Sequence, residues 1–227
     1  MDTSFFSALT KEFTSPLHTP FQKEDFYPLD LSTSNNELDV ELLTRPYDHH
    51  KFLQLYLKIS GSKVAYGGYL EKRPLYDRSD YFQAQDPGDK RNIHLGIDLW
   101  CNAGESIVSP LDGEIHSFKH NKNFGDYGPT IVVKHTIDGQ EFHTLYGHLS
   151  VASLHNKKVG QKVKAGEVIA TLGTPDVNGD YAPHLHFQIV IDMQGKEGDY
   201  PGVGSQNDLE FYKKNCPDPN LLLKIYE

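Results

Sequence analysis

The sequence is poor in the features that announce a compartment or a charged partner. Long apolar runs are absent: no stretch approaches the roughly 20 residues needed to span a bilayer as a helix, so no membrane partner is expected. The opening Met-Asp-Thr-Ser-Phe-Phe-Ser-Ala-Leu-Thr-Lys has neither the basic n-region nor the apolar h-region of a secretory leader. With Met1 as the natural start, the expected setting is cytoplasmic; it is secreted or periplasmic only if Met1 is not. Only two cysteines are present, Cys101 and Cys216, too few to read as a disulfide framework, and both are expected to be reduced thiols. Cys101 follows Asp98 by three residues but lacks the second nearby cysteine of a zinc-thiolate site. Positive charge is short too: 22 Lys and Arg stand against 31 Asp and Glu, a formal net charge of -9. Sequence-independent binding to phosphate backbones needs clustered cations that displace counterions, so nucleic acid is not an expected partner. Solenoid repeats and low-complexity tracts are missing as well.

What is present suits one β-rich domain with extensions. Gly 19, Pro 13, Tyr 13 and Phe 12 point to many turns and to aromatic-rich strands. Residues 1–40, rich in Ser, Thr, Pro and Asn, read as an irregular N-terminal arm that wraps a surface. Residues 41–90 read as a helix and strand extension: Phe52, Leu55, Tyr56 and Ile59 fit helical spacing after a start near Pro46 and Asp48. Residues 91–195 form the core, and 196–227 a C-terminal tail packed on it. Strand signals run over Val64–Leu70, Ile107–Phe118, Thr130–His135, Glu141–His148, Val163–Leu172 and His184–Asp192. Asp112-Gly113 and Asp138-Gly139 both read as hairpin turns. The expected architecture is mainly β, with an antiparallel core.

The chain has 12 histidines, and three segments could bring some of them to one point. The first is His94-Leu-Gly-Ile-Asp98, an imidazole and a carboxylate that both suit zinc. In a flat strand the two would lie about 13 Å apart, at roughly 3.3 Å per residue. To share an ion the chain must bend between them, and Gly96 is where a bend costs least. The second is His184-Leu-His186, which opens an apolar strand with both imidazoles on one face and Leu185 pointing into the core. The third is Leu145-Tyr-Gly-His148-Leu-Ser150, where His148 ends a strand. By strand parity His143 faces away from His148 and is read as structural. His18, His49, His50, His116, His120, His135 and His155 are read as solvated or core residues, and the aromatic run Tyr76 to Phe82 as packing.

In this order and spacing the three segments resemble the lysostaphin and LytM-type (β-lytic) zinc endopeptidases, which cut peptide cross-links of peptidoglycan. Ile107-Val-Ser-Pro-Leu-Asp-Gly-Glu-Ile115 resembles the family's strand after the first motif. Val159-Gly-Gln-Lys-Val-Lys-Ala-Gly-Glu-Val-Ile-Ala-Thr-Leu-Gly173 resembles its glycine-punctuated hairpin. The resemblance covers about residues 91–192 and implies an antiparallel β-sandwich of the duplicated hybrid motif. It implies Zn2+ held by His94, Asp98 and His186, with His148 and His184 facing the water and the substrate. It also implies a zinc-activated water that attacks a peptide (amide) bond with histidine assistance, and a peptide or muropeptide substrate. Three protein ligands leave the open position of a catalytic zinc site. Which of His148 and His184 is the base stays open, as does the oligomeric state.

Departures from the family bear on substrate more than on metal. Tyr181-Ala-Pro183 stands where a small Ser or Thr followed by Gly is common, Gln188 where Glu is common, and Pro129-Thr130 where Asn is frequent. His94 to Trp100, Asp126-Tyr-Gly-Pro-Thr130 and Pro217-Asp-Pro-Asn-Leu-Leu-Leu223 resemble, more narrowly, a peptidase-like domain found between kinase-like and class III aminotransferase-like domains in larger bacterial proteins. Two other readings compete. Val163-Lys-Ala-Gly-Glu-Val-Ile169 and Pro110-Leu-Asp-Gly-Glu-Ile115 also resemble sugar-phosphotransferase and lipoyl-type carrier folds, although no Met-Lys-Met tip is present. A non-catalytic zinc or peptide-binding module would use the same cleft without hydrolysis.

Overall fold

Alternating apolar residues and glycine-rich turns build most of this chain into antiparallel sheet. The computed structural model describes residues 3–227; Met1 and Asp2, which open the segment read for a leader, lie outside them. The strands are β1 (Phe26–Pro28), β2 (Val64–Gly67), β3 (Arg91–His94), β4 (Ile97–Trp100), β5 (Ser106–Val108), β6 (Gly113–Asn121), β7 (Gly128–Ile137), β8 (Gln140–Gly147), β9 (Lys162–Val163), β10 (Val168–Thr171), β11 (His184–Val190) and β12 (Val203–Ser205). The α-helices are α1 (Thr3–Leu9), α2 (Val40–Leu43), α3 (Pro46–Ser60), α4 (Leu209–Asn215) and α5 (Asn220–Leu223). Among the described residues no helix is long and apolar enough to cross a membrane.

One large sheet runs in the order β1-β2-β4-β11-β8-β7-β6-β9, with β10-β5 and β12-β3 as small partner sheets. Its pairs are antiparallel except β1 with β2. The arm and the extension thus lengthen the sheet on the β4 side, and the tail returns β12 to pair with β3. The arm is less irregular than its composition suggests. It contributes β1 to the sheet and α1 to the core, where Phe5 and Phe6 meet Phe142 edge to face at 5.8 and 5.2 Å.

The two faces of the sheet carry different loads. Ile97, Leu99, Leu185, Phe187, Ile189, Ile131, Val133 and Tyr146 belong to the main apolar core; each large side chain removed from water there contributes roughly 1.5–3 kcal/mol. On the other face, Val132, Leu145 and Val190 pack with Tyr200 and Cys216 of the C-terminal part. β11 is buried along its whole length, as a strand between two paired neighbours and two covered faces must be.

Two local expectations are corrected. α3 does form, with Pro46 in its first turn and Gly61 closing it at φ +73. Its buried face, however, is His49, Leu53 and Leu57, while Leu55 and Ile59 are 56% and 78% exposed. The helix docks on Leu31, Leu43 and Trp100, and that pocket selects the stripe. Asp138-Gly139 is a hairpin turn, with both residues at positive φ (51 and 74) between β7 and β8. Asp112-Gly113 is not: β5 pairs with β10 and β6 with β7 and β9. Asp112 instead accepts the Ala165 N–H at 2.9 Å, tying two loops together.

Candidate metal centre

Asp98, His184 and His186 of the large sheet meet His94 at the end of β3 and His148 just after β8, at one end of the tail-covered face. In β11, His186 lies opposite Asp98 of β4 and Gly147 of β8, and His184 lies opposite Trp100. Both rings therefore share a face, and Leu185 enters the core. His94 and Asp98 meet because the chain breaks between β3 and β4: His94 Nε2 is 3.2 Å from Asp98 Oδ1. Gly96 sits in that break for a reason beyond bending. A Cβ there would lie 2.7 Å from the His186 ring and from the Phe187 carbonyl, so only glycine lets β11 approach.

His148 joins the group by escaping strand parity. It follows β8 with φ +62, a left-handed conformation that costs a non-glycine residue on the order of 1–3 kcal/mol and is kept where the surroundings demand it. Its N–H donates to the Tyr127 carbonyl at 2.8 Å. The ring ends 4.1 Å from that of His184, centroid to centroid. His143, four residues along β8 from Gly147, shares the sheet face of His186 but pairs with Val190, far from the cluster.

Each of the four imidazoles has its outer nitrogen pinned to a carbonyl-type oxygen. His94 Nδ1–H donates to Gly68 O (2.9 Å), His148 Nδ1–H to Asn178 O (2.6 Å), His184 Nδ1–H to Ala182 O (2.7 Å) and His186 Nε2–H to Gln188 Oε1 (2.9 Å). Such oxygens only accept, so the proton sits on the outer nitrogen and the neutral ring turns a lone pair inward. Burial disfavours the charged form of three of them. It pushes His94 down to about 4, helped by the Arg73 cation and opposed by Asp98. It drives His148 well below the imidazole range, with His184 and His186 adding to the effect, and lowers His184 against the pull of Asp98.

Three inward donors form a triangle: His94 Nε2 to His186 Nδ1 is 2.9 Å, and Asp98 Oδ1 is 3.2 Å from each. A zinc ion about 2.0–2.2 Å from each ligand holds tetrahedral donors roughly 3.2–3.6 Å apart. Two imidazoles and one carboxylate are also the donor types zinc takes, so the residues fit that ion. Among the described residues this is the one group of three or more His, Cys, Asp or Glu with donors close enough to share an ion. Cys101 is not in it. Its thiol is packed in the main core and pushed up by burial.

The second oxygen of Asp98 is held by a residue that motif reading passed over. Arg73 Nη1–H donates to Asp98 Oδ2 at 2.5 Å and its Nε–H to Glu71 Oε2 at 2.5 Å, with Arg73 only 2% exposed. Burial opposes the charge on Asp98, yet His94, Arg73 and His184 outweigh it and hold the carboxyl well below its usual range. Arg73 and His49 lie outside the histidine motifs, in the polar runs Glu71-Lys72-Arg73 and Asp48-His49-His50-Lys51, and no spacing marks them. Tyr76 and Phe82, read as packing, join them in lining a cavity of about 220 Å³ over the site.

The departures from the family pattern have physical accounts. Gln188 keeps the acceptor for His186 while its Nε2–H group donates to the Pro201 carbonyl at 3.1 Å, a bond that a glutamate carboxylate could not supply. Tyr181 donates its hydroxyl to Gly125 O at 2.7 Å and packs against His148 and His184. The Ala182 carbonyl then orients His184.

Parts of the chain are similar to known proteins. Over 98 residues the chain is 33% identical to an uncharacterized metalloprotease of Haemophilus influenzae, covering 43% of this chain and 18% of that one. Over 108 residues it is 32% identical to the murein hydrolase activator NlpD of Escherichia coli, 48% of this chain and 24% of that one. The chain thus spans less than a quarter of either relative. Among solved structures it is similar to the catalytic domain of lysostaphin from Staphylococcus simulans, at 25% identity and TM-score 0.41, covering 65% of this chain and 91% of that one. The profile of peptidase family M23 matches residues 92–199 of this chain.

Proposed function

We propose that this chain is a zinc-dependent hydrolase of peptide (amide) bonds, with peptides or muropeptides as its substrate class. His94, Asp98 and His186 are the zinc ligands in this reading, and His148 and His184 the residues that handle protons. The observation that carries it is the pinning of all four imidazoles: two complete a three-donor triangle, and two more turn unshared Nε2 lone pairs to the same cavity. Zinc in such a site supplies Lewis acidity and a nucleophile near neutral pH. His148 and His184, neutral and side by side, provide the acceptor for the proton of the attacking water and a donor for the leaving amine or the developing oxyanion. Asp98 stays ionised, and Arg73 holds its outer oxygen so that Oδ1 alone faces the donors.

A binding role without hydrolysis is the second reading, favoured by the likeness to a protein named as a murein hydrolase activator. The presence of both His148 and His184 favours hydrolysis, because binding metal alone requires neither. Zinc content of protein purified without added metal or chelator, followed by assay on a panel of peptides and muropeptides, separates the readings. Near one zinc per chain with turnover is expected. Zinc without turnover would leave the binding role, and no zinc even when it is offered would remove both.

A further inference from the structure

The family profile begins at residue 92, yet much of the wall of the cavity is supplied by residues 31–91, including Leu31, His49, Arg73, Leu75, Tyr76 and Phe82. Two buried side-chain nitrogens in this wall have no partner: Arg73 Nη2, which carries two hydrogens, and His49 Nε2. Glu71 and Asp98 occupy Nε and Nη1 of Arg73, which sets the guanidinium plane and leaves both Nη2 hydrogens unspent. A buried donor left so is costly, and a guanidinium edge is shaped to receive a carboxylate. With a divalent cation on the three donors, the group of ion, Asp98, Arg73 and Glu71 carries net positive charge, so an anion is welcome there.

The shape of the cavity limits what the anion belongs to. His94, Asp98, His148, His184 and His186 are each 5% exposed or less, and Arg73 and His49 are each 2% exposed and mark the floor. Tyr81 and Lys196, the exposed lining residues, mark the mouth. A volume of about 220 Å³ is below the roughly 300–1,000 Å³ of pockets that enclose drug-sized ligands. A cross-linked strand running through the site would need the floor open.

We propose that the cleft takes short peptides by a free carboxylate end, bound by Arg73 Nη2 with His49 Nε2 beside it, so that the bond cut lies next to a chain terminus. The inference rests on the hydrolytic reading above. The chemistry keeps its balance: the oxygen of water bonds to the acyl carbon, the C–N bond breaks, and the amine leaves with the proton. Arg73 and His49 act as specificity-determining residues in this scheme.

Calorimetric titration of the full chain with N-acetyl-dialanine and with its C-terminal amide tests it, on zinc-loaded and on chelator-treated protein. The free acid is expected to bind roughly ten- to hundred-fold tighter than the amide, as for a charge-assisted hydrogen bond. Arg73→Lys keeps a cation for Glu71 and Asp98 but lacks the second Nη, and is expected to keep zinc while acid and amide converge to within about three-fold. His49→Leu, which spares the Asp98 pair, should lose several-fold in acid binding only. Equal binding of acid and amide by the wild-type chain, binding of neither, or cleavage of end-blocked cross-bridge peptides as fast as free acids would overturn the inference. Zinc measured in the same samples keeps the two failures apart: absent zinc removes the hydrolytic reading, whereas zinc without discrimination removes only this one.

Discussion

Two histidine pairs in this protein have nearly the same shape and opposite chemistry. His94 and His186 lie 4.8 Å apart, centroid to centroid, with planes at 76°; His116 and His143 lie 4.8 Å apart at 77°. The first pair has Asp98 Oδ1 at 3.2 Å from each inward nitrogen, and an accepting oxygen fixes each outer one. In the second pair His143 has Lys134 as its cross-strand neighbour, and His116 Nδ1 lies 2.7 Å from the Ser117 hydroxyl. Burial lowers both His116 and His143, with Lys134 adding to the first and His116 to the second. Two imidazoles edge to face are therefore not a metal site. The first pair adds a carboxylate and pinned outer nitrogens, which turn lone pairs to a common point and supply the negative charge a divalent cation needs.

The sharpest way to break this contrast is to exchange the roles of the pairs. His94→Ala or Asp98→Ala should abolish stoichiometric zinc by elemental analysis, while the double variant His116→Ala/His143→Ala keeps it. Full metal in His94→Ala, or loss in the double variant, would sink the ligand assignment. Next in size, His148→Ala should keep its zinc and lose about 10²–10⁴-fold in kcat, the usual span of general acid–base catalysis; peptide hydrolysis rates beside metal content check it. A third effect is steric. Gly96→Ala pushes a Cβ against the His186 ring, and zinc affinity measured by competition with a chelator is expected to fall about 10–100-fold, as when a group orienting a ligand is disturbed.

The smallest effect concerns the hairpin half. His135 bridges Asp112 O and Thr144 Oγ1 at 2.8 Å each, and burial lowers it to about 4. An unfolded histidine titrates near about 6.5, so between the two values the unfolded chain binds more protons. The stability that His135 contributes is whole above about pH 6.5 and is lost as pH falls through about 4. Urea unfolding across that window should show a flatter curve for His135→Leu than for the wild-type chain; identical slopes would remove His135 from the acid response.

Much of the site could be seen in the spacing of a few residues. His94-x-x-x-Asp98 asked for a bend, His184-x-His186 for two rings on one face, and both are local consequences of strand geometry. His148 was a candidate because it ends a strand, yet strand parity alone would turn it the other way, and a left-handed backbone undoes that parity. Asp112-Gly113 carried the same two-residue signal as Asp138-Gly139 and did something else, since turn chemistry does not say which strand will be the partner. The stripe of α3 that is buried was misread for a similar reason. Both the Phe52 series and the His49-Leu53-Leu57 series have helical spacing, and only the surface beneath the helix chooses between them.

The sequence by itself determined the mainly β class, the hairpin at Asp138-Gly139, the donor types and the two same-face imidazoles, because these follow from periodicity, side-chain chemistry and one or two backbone torsions. Only the tertiary structure decided that Arg73 and His49 reach the cleft, that Gln188 and three backbone carbonyls aim the imidazoles, and that residues 31–91 supply a third of the cavity lining. Those contacts join residues far apart in the chain, and their energy comes from burial and fixed hydrogen-bond geometry, which arise only once the strands are paired and the cavity is closed.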